Sequence, residues 1–309
     1  NRSAGPQEVK DLLGPVYADI QEISESGSPL IGLSTGFTAI DDLTLGFQKS
    51  DLIIIAARPS MGKTAFAFNI AENVARQTDQ TVLIFSMEMS SDQVVRRFIS
   101  SISNIDLQRL MRGQLADTDW QGIDKALSVL SKKKILLDDT PALSPSEVKA
   151  RARRVKRESG DLAMIVVDYL QLMQVPGKGE NRVAEISEIS RSLKALAKEL
   201  NIPVVAISQL NRAVDSRPNK RPILSDLRDS GAIEQDADVI AFLYRHFYYD
   251  KSDLDARGKA EVNIAKQRNG PTKAIEVAFL ENTATFQNLA QIDRPPPRHY
   301  DEEDDSFSP

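Results

Sequence analysis

Short apolar runs and one-sided helical stripes alternate along most of the chain. From about residue 35, "DLIIIAA" (51–57) leads into the helical "TAFAFNIAENVARQ" (64–77), and "QTVLIFSME" (80–88) into "SSDQVVRRFISS". "KKILLDD" (133–139) precedes "SPSEVKARARRVKRESG", where Ser144-Pro145 and Glu147 mark a helix start. "LAMIVVDYLQLM" (162–173) is nearly all apolar. After the loop "QVPGKGEN", a long helix carries Val183, Ile186, Ile189, Leu193, Leu196 and Leu200 on one face, and "IPVVAISQL" (202–210) closes the unit. Strands apolar on both faces and separated by helices predict an α/β fold, a mostly parallel sheet covered on both sides. Beyond "ADVIAFLYR" (237–245) the pattern changes: "AEVNIAKQR" and "KAIEVAFL", joined at Asn269-Gly270, predict an antiparallel extension.

The amino-terminal stretch 7–26 repeats apolar residues at helical spacing, from Val9, Leu12 and Leu13 through Val16, Tyr17, Ile20 and Ile23. Gly14-Pro15 predicts a kink or a late start. The polar "SESGSP" then reads as a linker, so this helix needs a partner for its apolar face, either its own domain or a neighbouring subunit. The expected organisation is a linker helix and linker over 1–30, a large α/β domain over 31–290, and a disordered tail over 291–309 containing "PPP" and "DEEDD". A chain that starts at Asn1 is expected to be a piece of a longer one.

Composition narrows the chemistry. The absence of cysteine rules out disulfides and thiolate sites, and only His246 and His299 could supply imidazole. No apolar run approaches the ~18 residues of a membrane span and no signal peptide opens the chain, so a cytoplasmic protein is expected. Net charge is −5, and setting "DEEDD" aside leaves 39 residues of each sign. A neutral body offers no general attraction to nucleic acid, so any such contact has to come from local basic loops.

In an open α/β sheet, ligands sit beyond the carboxyl ends of the strands. Behind "DLIIIAA" stands Ala57-x4-Gly62-Lys63-Thr64, the Walker A pattern with Ala in its first position, running through Arg58, Ser60 and Met61 to Ala65. Gly62 lets the backbone approach phosphate, the amides at the helix start face negative charge, Lys63 reaches the β- and γ-phosphates, and the Thr64 hydroxyl ligates magnesium. Three more predicted strands end in polar groups: Glu88, Asp168 and Gln209. Each alone reads as a helix cap or solvated turn. Together, Asp168 has the form of a Walker B magnesium ligand, Glu88 could polarise water, and Gln209 could sense the γ-phosphate. The reaction predicted is phosphoryl transfer from a nucleoside triphosphate to water.

Lys266 and Arg268 lie two apart on a strand, which aims both at one face. They are either solvated or an arginine-finger pair supplied to a neighbouring subunit. Residues 211–231 form a long polar loop with five basic residues (Arg212, Arg217, Lys220, Arg221, Arg228), placed to grip phosphates with nucleotide state. The helix "KARARRVKR" (149–157) is more basic still, but its cations fit a solvated face at least as well as a polymer contact.

These segments resemble the carboxyl-terminal motor domain of the DnaB family of bacterial replicative DNA helicases. "AARPSMGKTAF", "FSMEMS", "VVDYLQLM", "ISRSLKALAKELNIPVVAISQLNR", "SDLRDSGAIEQDAD" and "AKQRNGP" occur in that family's order, over about residues 7–290. The resemblance implies a RecA-like P-loop NTPase core, a homo-hexamer with ATP and magnesium between subunits, and single-stranded DNA in a central channel. It also implies primase, a helicase loader and other replisome proteins as partners. It gives Lys63 and Thr64 to phosphate and magnesium, Glu88 to catalysis, Asp168 to Walker B and Gln209 to the γ-phosphate. Lys266 and Arg268 fall to the adjoining subunit's ATP, and Arg228, Asp229 and Gly231, with Arg212, to the DNA. The segment 7–26 matches a linker helix that docks on the next motor domain, and the family's amino-terminal domain is not in this sequence. A RecA-type recombinase and a nucleotide-gated assembly platform are the alternatives.

Overall fold

The computed structural model describes residues 8–26, 30–175 and 181–289. The expected acidic tail and part of "QVPGKGEN" lie outside the described residues. Helix α1 spans Val9–Ser26 without interruption, so Pro15, inside it, neither breaks it nor delays its start. Its apolar stripe is exposed, with Val9 73% and Tyr17 63% accessible. Helix α2 (Thr38–Thr44) then leads to the first strand.

The core alternates β1 (Leu52–Ala57), α3 (Lys63–Gln77), β2 (Thr81–Ser86), α4 (Ser91–Ser103), α5 (Leu107–Arg112), α6 (Asp117–Leu130), β3 (Ile135–Asp138), α7 (Pro145–Ser159), β4 (Leu162–Asp168), α8 (Arg182–Leu200) and β5 (Val204–Gln209). After β5 come α9 (Gly231–Asp236), β6 (Val239–Tyr244), α10 (His246–Tyr249), β7 (Lys259–Gln267), β8 (Lys273–Leu280) and β9 (Thr285–Gln287). The strands make one sheet in the order β3-β2-β4-β5-β1-β6-β7-β8-β9. It is parallel through β6 and antiparallel from β7 onward, as the change in apolar pattern predicts.

Burial on both faces explains the unbroken apolar strands. Leu52, Ile54 and Ala56 of β1 point into a core with Phe85, Leu193 and Phe242, while Ile53, Ile55 and Ala57 point into a second core with Phe66, Ile70 and Val205. Truncating one of these isoleucines to alanine would cost about 2–5 kcal/mol. Helices α5 and α6, which the sequence pattern does not separate, fold with α4 around a small third core of Ile105, Leu110 and Ile123. Among the described residues no helix is long and apolar enough to cross a membrane.

Most cations of the basic helix α7 are paired with carboxylates, chiefly of α8 and β3. Lys149 and Arg153 share Glu199, Arg151 pairs with Asp138, and Arg154 lies 3.9 Å from Glu158. The segment 211–231 is the expected long polar loop, but several of its cations are not free to grip phosphate. It holds two 3-10 turns, Arg212–Ser216 and Leu224–Ser230, and three of its cations are engaged by other groups of the protein. Arg217 donates to both oxygens of buried Asp226 (2.9 and 2.7 Å), Arg221 pairs with Glu261 (2.9 Å), and Lys220 donates to the Asp215 and Arg217 carbonyls. These contacts hold the segment down, most firmly at Arg217, because a cation already paired with a buried carboxylate gains little by leaving it for solvent-exposed phosphate.

Candidate active site

Four adjacent parallel strands, in the order β2-β4-β5-β1, deliver their carboxyl ends to one edge of the sheet. β1 hands over to the loop 57–64, β2 ends just before Glu88, β4 ends in Asp168, and β5 ends in Gln209, which lies opposite Ala57. All four predicted polar positions therefore share one edge.

The loop is built for close approach to its backbone. Gly62 has φ +94°, and a Cβ there would lie 2.9 Å from the Phe286 ring. A side chain would meet both backbone strain and a wall of β9. Ser60 also takes a positive φ, of 66°. Met61 and Ala65 are buried, so their side chains belong to the core and only their backbone faces the site. Helix α3 starts at Lys63 with no side-chain cap, whereas α4 and α7 begin with full capping boxes. Its first amides are left for an anion, which the helix dipole also favours.

Asp168 is fully buried, and its Oδ1 accepts the Thr64 hydroxyl at 3.3 Å. Its Oδ2 is buried without a hydrogen-bond partner. Burial raises the Asp168 carboxyl to about 6, against the pull of Lys63 and the Thr64 hydrogen bond, and the nearby Glu88 charge raises it further. A buried carboxylate with one idle oxygen beside a threonine hydroxyl fits a divalent cation. Among the described residues no cluster of three or more acidic or histidine side chains could hold a metal by itself. A cation here would therefore be completed by phosphate and water, as magnesium commonly is. Glu88 is exposed at the mouth, where a carboxylate can reach water.

Several residues at this edge escape sequence reasoning. Arg97 of α4 is half-buried: burial lowers its guanidinium from the usual range, opposed by the negative charges of Asp168 and Glu88. Tyr169 lies under Lys63, whose Nζ is 5.1 Å from the ring centroid. Gln171 braces β5, donating to the Ser208 hydroxyl (2.9 Å) and the Gln209 carbonyl (3.2 Å) and accepting the Gln209 amide (3.2 Å). Arg245 stacks on Phe279 and donates to the Ser60 carbonyl at 3.3 Å. Arg58 is held from the other side: it donates to Asp215 Oδ2 at 3.0 and 2.6 Å and to the Leu210 carbonyl at 2.9 Å. The phosphate loop is thus tied to the start of the 211–231 segment.

The other predicted residues lie elsewhere. Lys266 and Arg268 sit by the start of β6, where Lys266 pairs with Ile240 and the Arg268 amide donates to the Asp238 carbonyl. That is roughly five strand residues, ~17 Å, below the point where β1 meets the phosphate loop. Within one chain this pair does not meet its own site. Arg212 is exposed and Gly231 opens α9, while the side chains of Arg228 and Asp229 lie outside the described residues.

Residues 32–288 match the family described as DnaB-like helicase C terminal domain. The chain is 52% identical over 282 residues to the replicative DNA helicase DnaB of Geobacillus stearothermophilus, which covers 91% of this chain and 62% of that protein. It is 50% identical over 284 residues to the replicative DNA helicase DnaC of Bacillus subtilis, covering 92% and 62%. The chain therefore spans less than two thirds of these relatives' length. A solved ATPase domain superposes with a TM-score of 0.86 at 38% identity, covering 92% of this chain and all of that one. A DnaB-like replicative helicase, solved in a study of its interactions with primase, superposes with a TM-score of 0.83 at 37% identity, covering 94% and 68%.

Proposed function

The chain belongs to the family of DnaB-like helicase C-terminal domains, and from that premise we propose that it is the ATP-hydrolysing motor of a cytoplasmic replicative DNA helicase. The observation that carries the reading is the idle, buried Asp168 Oδ2 beside Thr64 at the edge where Lys63, Glu88 and Gln209 meet. Without a cation and phosphate, that oxygen is an uncompensated cost to the fold.

In this reading the α3 amides and Lys63 bind the phosphates, and Arg245 and Arg58 keep the loop in its binding shape. Thr64 and Asp168 would hold magnesium, which when bound offsets charge on the phosphates. Glu88 orients the attacking water and accepts its proton, while Arg97 keeps the two acids apart in charge. Gln209, held by Gln171, reports the γ-phosphate to the segment that follows it. Lys266 and Arg268 act on the site of a neighbouring copy, consistent with their distance from their own, and α1 supplies the apolar face that docks on that neighbour. Arg212, Arg228, Asp229 and Gly231 would track the backbone of single-stranded DNA inside a homo-hexamer. Contacts with primase, a loader and other replisome proteins belong to the same proposal.

The test is unwinding of a forked duplex with Lys63→Ala as control. ATP-dependent strand separation that the variant loses supports the motor. Hydrolysis or unwinding unimpaired in Lys63→Ala rejects the site.

A further inference from the structure

Asp238, the residue before β6, is only 4% exposed and is shared by four groups. Its Oδ2 accepts the Leu52 amide at 2.8 Å and the Lys194 ammonium. Its Oδ1 lies 3.3 Å from Arg268 Nε, and its carbonyl accepts the Arg268 amide at 3.0 Å. The same guanidinium donates through Nη2 to the Gln235 carbonyl at 3.0 Å. Lys266 donates to the Glu234 and Ala237 carbonyls at 2.5 and 2.7 Å. The two cations thus occupy carbonyls that α9 leaves open at its carboxyl end, the end where the helix dipole favours positive charge.

Arg268 is therefore gripped along its Nε–Nη2 edge, while Nη1 makes no hydrogen bond among the described residues and the side chain stays half exposed. Lys194 takes the other oxygen of Asp238, so the carboxylate does not neutralise Arg268 outright. Arg268 in turn repels the Lys266 charge, and Asp238 offsets that repulsion. A lone guanidinium at this edge would be free to rotate; this one has a single edge left to offer.

We propose that Asp238, together with the carboxyl-terminal carbonyls of α9, is the positioning element that presents Arg268 and Lys266 to the triphosphate bound by a neighbouring copy. The inference rests on the reading of this pair as acting between subunits. It also makes the pair's placement depend on α9, which continues directly from Leu224–Ser230, so a shift of that segment moves both cations.

The test uses Asp238→Asn in the full-length protein, which keeps an acceptor for Leu52 and removes the charge. Hydrolysis by the variant should fall about 10- to 100-fold in kcat, as expected for a displaced catalytic cation, with KM and binding of a fluorescent ATP analogue unchanged. Mixed with Glu88→Gln protomers, it should recover activity above the sum of the two. Asp238→Asn protomers keep an intact Glu88 site and receive an undisturbed finger from their neighbours. A purely structural tie would damage the variant's own site, and mixing would restore nothing. Arg268→Ala mixed with Glu88→Gln is the control. Recovery in the control and none for Asp238→Asn overturns this proposal alone. No recovery in either overturns the between-subunit reading and this proposal with it. Should Asp238→Asn melt below assay temperature, Asp238→Glu, which keeps the charge but displaces it, should give the same mixing pattern.

Discussion

Replacing Asp168 with asparagine should make the unliganded protein more stable while removing its function. The Asp168 carboxyl is raised from 3.8 to about 6, burial being the largest cause. A group whose folded value is raised adds stability that is fully present below its unfolded value and is lost as pH rises through the folded one. For Asp168 that loss runs from about pH 4 to a little above 6, and with 1.36 kcal/mol per pH unit it amounts to about 3 kcal/mol at neutral pH. Asparagine has no charge to desolvate and keeps an acceptor for Thr64, so Asp168→Asn should recover most of that, raising the melting temperature by about 5 °C at pH 7.5. Thermal melts of both proteins between pH 4 and 7.5 are the assay. The difference between the curves isolates Asp168 from Asp51, whose carboxyl is also raised to about 6, by burial and by Asp238, and slopes the same way. Saturating magnesium and a non-hydrolysable ATP analogue should reverse the order. Wild type would gain about 3 kcal/mol at a hundredfold excess over Kd, and the variant far less. An unliganded Asp168→Asn protein no more stable than wild type at pH 7.5, with an unchanged pH slope, would refute the reasoning.

Gly62→Ala should destabilise the fold by about 1–3 kcal/mol, through the left-handed backbone and the Phe286 ring, and should weaken nucleotide binding in parallel; chemical denaturation and analogue titration check both. Arg217→Ala and Arg212→Ala should separate cleanly. The first strands buried Asp226 and should cost stability, about 2–3 kcal/mol given the partial exposure of the pair. The second should leave the melt unchanged, weaken single-stranded DNA binding, and reduce the salt slope by about one. Calorimetry and DNA titrations at several salt concentrations distinguish them. Arg268→Ala should retain ATP binding and lose hydrolysis, as read by analogue titration beside a phosphate-release assay.

What could be read from the chain followed from what was local in it. The glycine before Lys63 follows the β1 run closely, the polar residues closing β4 and β5 directly adjoin their own apolar runs, and a parallel sheet leaves one place for these ends to meet. Arg97 was hidden because an arginine beside Arg96 on an amphipathic helix reads as a solvated face until α4 packs it toward Asp168 and Glu88. The cations of 211–231 read as free because their partners are distant: Arg221 finds Glu261, forty residues on, across the antiparallel strands. Helices α5 and α6 went unseparated because they are short and half-exposed, with Met111 and Trp120 on their surface, so their apolar pattern is weak. Asp238 has no sequence signal at all. Its meaning lies in three partners far apart in the chain: Leu52 of β1, Lys194 of α8 and Arg268 just beyond β7.

In the proposed motor, strand ends from one chain bind the triphosphate and a second copy completes the pocket. Turnover per protomer, measured across protein concentrations that take the chain from dispersed to assembled as followed by sedimentation, tests this directly. Turnover should be near zero for dispersed protomers and should rise with the assembled fraction; a dispersed protomer that hydrolyses ATP at the assembled rate would contradict it.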